Sequence, residues 1–119
     1  MNWFLAKIVF RIVCGDGNHK AQFDEQLRLL KAGSKEEAFE KARSLGQNEE
    51  DIFMNVDQKL VRWQFINVSE LYRISELIDG AEMYSRIEEK DDGDGYAEVI
   101  HKKAEHIQLC NTDQVLQLV

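Results

Sequence analysis

The stretch Trp3-Phe4-Leu5-Ala6-Lys7-Ile8-Val9-Phe10-Arg11-Ile12-Val13-Cys14 decides the fold. Successive side chains of an extended strand point to opposite faces. Phe4, Ala6, Ile8, Phe10, Ile12 and Cys14 therefore share one wholly apolar face, and Trp3, Leu5, Lys7, Val9, Arg11 and Val13 a mixed one. The first face belongs to a core. Gly15-Asp16-Gly17-Asn18 follows as turn chemistry, with residues that accept positive φ, so the chain reverses there. Residues 20–32 return as a second strand, antiparallel to the first. Ala21, Phe23, Leu27 and Leu29 share one of its faces, interrupted by Glu25, although residues 26–32 can also be drawn as helix.

Gly33-Ser34 ends that strand, and Ser34 with Glu37 matches a capping box, in which each side chain satisfies a backbone N–H of a new helix. Ala38, Phe39, Ala42 and Leu45 then recur at helical spacing, with Lys35, Glu36, Glu40, Lys41 and Arg43 outside the stripe. Gly46 is placed as a left-handed C-terminal stop, which predicts a helix over 35–45. This helix is expected to cover a sheet face built from Phe4, Ile8, Phe10 and Phe23.

Residues 47–51 read as an acidic loop, residues 52–56 as a short strand and Asp57-Gln58 as a turn. The next strand, over 60–68, puts Val61, Trp63 and Phe65 on one face and Leu60, Ile66 and Val68 on the other. Around Ser69-Glu70 the alternation changes phase, as it does at a β-bulge. Residues 71–78 fit either period. The Asp79-Gly80 pair resolves them as a hairpin, whose second arm alternates Ala81, Met83 and Ile87 with Glu82, Tyr84, Arg86 and Glu88. After an acidic loop over 88–95, the spacing of Tyr96, Ile100, Ala104 and Ile107 predicts a helix over 96–108. Residues 111–119 alternate weakly, and a final strand, an intermolecular strand and a frayed tail all remain open. The expected fold is α+β: a mainly antiparallel sheet in the order ββα-βββ-α, with one domain over 1–108 and a tail or short strand over 109–119.

At 119 residues the chain has room for one core, and its 44% hydrophobic and 31% charged side chains exclude a disordered polymer. No stretch reaches the roughly 20 apolar residues that cross a bilayer. The net charge of −7 is uneven, with six basic and three acidic side chains in residues 1–35 against seven and sixteen in 36–95. That balance argues against nucleic acid or an anionic membrane as partner. Two cysteines in a chain of this length, and no signal-peptide pattern before Lys7 and Arg11, predict a cytoplasmic location with reduced thiols.

The usual chemical motifs fail on inspection. Gly15-Asp16-Gly17 lacks both a third glycine and the following helix that cradle a phosphate. Asp91-Asp92-Gly93-Asp94-Gly95 resembles a calcium loop, yet either register puts Lys90 among the ligands. It reads instead as solvated negative charge ahead of a helix N-terminus. His101 and His106 stand too far apart around a helix to form a metal pair, and Cys14, His19, His106 and Cys110 meet only if the C-terminus folds back. No metal, cofactor or catalytic set is expected. Trp3, Trp63, Tyr72 and Tyr84 remain as strand aromatics, either packed beneath a helix or forming an interaction face. The expected function is a non-enzymatic interaction or accessory module. Its partner would be a second copy or another protein, met through a sheet edge or the aromatic face. The alternative is a small-molecule or enzymatic pocket assembled from distant residues such as His19, His101 or Arg62.

Four blocks carry a family resemblance. They are Trp3-Phe4-Leu5-Ala6-Lys7-Ile8-Val9-Phe10; Glu36-Glu37-Ala38-Phe39-Glu40-Lys41-Ala42 with Leu45-Gly46; Val61-Arg62-Trp63-Gln64-Phe65-Ile66-Asn67-Val68; and Leu77-Ile78-Asp79-Gly80-Ala81-Glu82-Met83-Tyr84-Ser85-Arg86-Ile87. Over about residues 3–107 the chain resembles a bacterial family, domain of unknown function 4288. The resemblance implies a compact single domain of bacterial origin. It brings no catalytic motif, and so no functional residue to transfer.

Overall fold

A computed structural model describes residues 1–109. In chain order it holds β1 (Asn2–Cys14), β2 (Gln22–Ala32), α1 (Lys35–Asn48), β3 (Asp51–Met54), β4 (Leu60–Ile74) and α2 (Gly93–Leu109). The strands form one antiparallel sheet in the order β2-β1-β4-β3. The fold is α+β, and the succession of elements fits the expected order. Residues 110–119, including Cys110 and the expected tail or strand, lie outside the described residues.

Register explains which side chains reach the core. Phe10 faces Asp24 on β2 and Phe65 on β4, and Ile8 faces Gln26 and Val68. Opposed residues share a face, so the even-numbered residues of β2 accompany the apolar face of β1. Leu30 and Ala32 are the buried residues of β2. Phe23, expected in the core, is therefore on the other face: it pairs with Arg11, is 54% exposed, and receives the Arg11 guanidinium 5.6 Å from its ring centroid. Its apolarity suggested burial, but the register of the hairpin overrides it.

β4 reaches the same core by skipping residues. Its ladder with β1 slips twice, leaving Ser69 and Ile66 without partners. The first slip is the expected bulge at Ser69; the second is new. Together they bring Phe65, Val68 and Leu71 opposite Phe10, Ile8 and Ala6. Val68 thus joins the face of Phe65 rather than opposing it.

α1 closes this core. Ala38 and Ala42 are fully buried beneath it, with Ala42 grouped with Ala6, Ile8, Phe10 and Leu30, and Ala38 with Phe4 and Ala32. The Ser34 hydroxyl accepts the Glu37 N–H at 3.2 Å, while the Glu37 carboxylate reaches back to the Gly33 N–H at 3.0 Å. The helix does not stop at Gly46 but runs through it to Asn48. Gly46 is buried against Phe65, and any Cβ there would run into that ring. The glycine therefore serves close helix–sheet approach, not chain reversal. Glu49 caps the end, and its carboxylate holds Arg28 of β2 through bonds of 2.6 and 2.8 Å.

The Asp79-Gly80 turn forms, with Gly80 at φ 85° and Ala81 N–H donating to Ile78 O at 3.0 Å. The second hairpin arm does not: residues 81–90 carry no ladder. Tyr84 packs instead on Tyr72, with ring centroids 5.3 Å apart.

The described chain divides into two compact units, Met1–Tyr84 with the sheet and α1, and a second from Ser85 onward. The second is built on α2, which starts at Gly93 because Asp92 caps it. The Asp92 carboxylate accepts the Gly95 N–H at 3.0 Å, and the Lys90 ammonium lies 4.9 Å from the Tyr96 ring centroid. The acidic loop supplies this cap, and no residue of α2 is buried.

Candidate interaction face and sheet edge

The sheet has a second face, away from α1, and three of the four singled-out aromatics lie on it. Trp3 pairs with Ile74 and Tyr72 with Leu5, and Leu5 and Ile74 are themselves buried there. The Lys31 ammonium sits 5.4 Å from the Trp3 ring centroid, and Tyr84 meets Tyr72 edge to face at 82°. Trp63 is elsewhere. It opposes Ile12 on the helix side, stacks on Phe53 of β3 at 6.3 Å, and donates from Nε1 to the Asp24 carboxylate at 3.2 Å.

Beside Tyr72, Glu70 accepts from two donors. Lys7 Nζ reaches Glu70 Oε2 at 2.6 Å, and the Tyr72 hydroxyl donates to Glu70 Oε1. Donation to the carboxylate, burial and neighbouring negative charge push the Tyr72 phenol up to about 12. The same carboxylate raises Lys7, with burial opposing it. Both groups hold their protons at neutral pH, so they offer donors rather than a base.

The β1–β2 turn gathers Cys14 and His19. His19 Nε2 accepts the Cys14 N–H at 2.9 Å, which leaves Nδ1 to donate to Lys20 O at 2.8 Å. Both ring nitrogens are engaged in shaping the turn. The Asn55 amide donates to Cys14 Sγ at 3.5 Å. A concavity of about 750 Å³ opens here, lined by His19, Lys20 and Lys59 among others. His101 and His106 lie on α2 in the second unit. Among the described residues no three His, Cys, Asp or Glu side chains are grouped to hold a metal ion.

The sheet ends in two strands, β2 and β3, and β3 is the more exposed. Among the described residues β3 pairs only with β4, and each of its four residues is exposed, Ile52 at 64% and Met54 at 59%. Val56, Leu60 and Ile66 extend the exposed apolar surface. Farther along β4 side chains occupy the backbone. Phe65 N–H donates to Glu50 Oε2 at 3.1 Å, and Val68 N–H to its neighbour Asn67 at 2.8 Å, beside the bulged Ile66. Bulges and side-chain bonds of this kind discourage strand addition. β3 has neither.

Arg62 stands just inside this edge, opposite Ile52 on β3 and Val13 on β1. It lines a concavity of about 440 Å³ with Glu50, Asp51, Ile52, Trp63 and Gln64. Its Nε is buried without an acceptor among the described residues. The alternation around β3 and β4 was readable in the sequence, but which strands end the sheet, and which arginine leaves a buried N–H without an acceptor, follow only from the three-dimensional pairing.

A family model described as Domain of unknown function (DUF4288) matches residues 3–85, the span of the first compact unit. No curated protein matches the chain, and no solved structure does.

Proposed function

We propose that this chain, which belongs to the domain of unknown function 4288 family, is a non-enzymatic interaction module that pairs with a second copy of itself through the edge of β3. One observation supports this reading above others. Of the two strands that end the sheet, β2 and β3, β3 exposes every residue it has, and three of its four, Ile52, Phe53 and Met54, are large and apolar. Unpaired N–H and C=O groups along such a strand are a template for another strand.

A second copy is the occupant that fits. Two identical apolar strands run antiparallel about a two-fold axis, and such an interface closes on itself. Antiparallel crossing also carries Glu50 and Asp51, at the start of β3, toward the end of the partner's strand, where the chain turns back through Lys59. The aromatic face is the weaker route, because Tyr84 already packs against Tyr72. A bacterial, cytoplasmic setting is part of the proposal, consistent with the family resemblance and the free thiol of Cys14. No helix among the described residues is long and apolar enough to cross a membrane.

Light scattering across a concentration series tests the pairing. The mass should rise above 13.8 kDa with concentration, and Ile52→Lys with Met54→Lys should hold it at the monomer while circular dichroism stays unchanged. A strict monomer at every concentration rejects the proposal.

A further inference from the structure

The geometry points to Arg62 as the anchor of a carboxylate-binding site between β3 and β4. Arginine keeps its charge at any pH a folded protein meets and presents five N–H donors in a planar fork. The half-buried Arg28 spends that fork on Glu49 through two bonds. Arg62 does not. Among the described residues it makes neither hydrogen bond nor ion pair, and its Nε–H is shut away from water with no acceptor.

Carboxylates are at hand, each with one oxygen given to a backbone N–H, and neither pairs with Arg62. Glu50 and Asp51 line the same concavity, yet Glu50 accepts the Phe65 N–H at 3.1 Å and Asp51 the Ile52 N–H at 2.8 Å. A buried donor without a partner is a cost the free chain bears uncompensated. An acid in the concavity would meet the guanidinium's other N–H donors, and a small shift of the side chain would bring Nε–H onto the same carboxylate. The space, about 440 Å³ with Ile52 and Trp63 in its wall, suits a planar acid on an apolar body. A singly charged carboxylate matches the arginine fork and meets less repulsion from Glu50 and Asp51 than a phosphate dianion does. The acid could be a free small molecule or the side chain of an extended peptide lying along β3, since both present the same two oxygens. The site needs no second copy, so it stands whether or not β3 pairs.

Titration of the ¹⁵N-labelled full chain, followed at the arginine Nε–Hε resonances, tests the inference. The probes are sodium benzoate with neutral benzamide as control, and the blocked peptide acetyl-Thr-Val-Glu-Val-Thr-amide with its glutamine counterpart. The Arg62 Hε signal should move downfield and saturate with at least one acid and with neither neutral control. The signals of Arg11, Arg43, Arg73 and Arg86 should drift only as general salt moves them. Tighter saturation by benzoate identifies a free acid as the source, and tighter saturation by the peptide an extended chain. Arg62→Gln should abolish saturation without lowering the melting temperature of the free chain. Arg62→Lys, which keeps the charge and loses the fork, should weaken binding by about tenfold. If Arg62 responds no differently from the exposed Arg43, or if Arg62→Gln destabilises the chain while no acid binds, Arg62 is a structural residue and the inference is overturned.

Discussion

Replacing Gly46 with alanine measures how closely α1 lies on the sheet. An alanine in a helix interior is favoured over glycine by about 0.8–1.0 kcal/mol, so helix propensity alone predicts a more stable protein. Packing predicts the reverse. The new methyl would enter the Phe65 ring, and that ring is held edge-on to Phe10 with centroids 5.9 Å apart. Forcing extra volume into a packed site costs about 1–3 kcal/mol. The packing term wins, leaving Gly46→Ala destabilised by about 1 kcal/mol. For a cooperative unit of about 60–100 residues that lowers Tm by about 4–8 °C. Urea unfolding followed by tryptophan fluorescence gives the value, and a cycle with Phe65→Leu assigns it. Once Phe65 is shortened, the alanine should become neutral or stabilising. A Gly46→Ala protein more stable than the parent, or a penalty unchanged by Phe65→Leu, would refute the close approach.

Two further predictions concern the charged contacts. Absorbance titration should find one of the three tyrosines ionising near pH 12, and Tyr72→Phe should remove that step. Because the folded-state value is raised above the ordinary 10, the stabilising bond to Glu70 is intact below pH 10 and lost as pH climbs toward 12. The stability gap between parent and Tyr72→Phe should close over that window; a gap constant through it contradicts the assignment. Arg28→Ala should cost about 1.5–3 kcal/mol, since it removes a two-bond charged contact from a half-buried site. Arg43→Ala, which breaks only an exposed helix pair with Glu40, should change stability by less than about 0.5 kcal/mol. Equal losses in denaturant unfolding would show that burial does not separate the two pairs.

Local chemistry made much of this fold legible. Strict alternation placed Phe4, Ala6, Ile8 and Phe10 on the core face, and Ser34 with Glu37 marked the start of α1, because each rests on bonds within a few residues. The bulge at Ser69 was visible as a break in period. What stayed hidden depends on partners distant in sequence. Phe23 looked like core until its pairing with Arg11 turned it outward, and Gly46 looked like a stop until Phe65 supplied a reason for a missing side chain. The arm after Gly80 alternates well, but alternation creates no neighbouring strand to pair with. The candidate site follows the same rule. The aromatics could be named from sequence, whereas their division between two faces, the bare edge of β3 and the unpaired fork of Arg62 arise only when the strands are set side by side.

Amide hydrogen exchange at residues 52–54, compared between dilute and concentrated protein, probes the outer strand most directly. If β3 accepts the strand of a second copy, these amides exchange more slowly as concentration rises, while those of β1 keep their rates. Equal rates for residues 52–54 at both concentrations would contradict strand pairing at this edge.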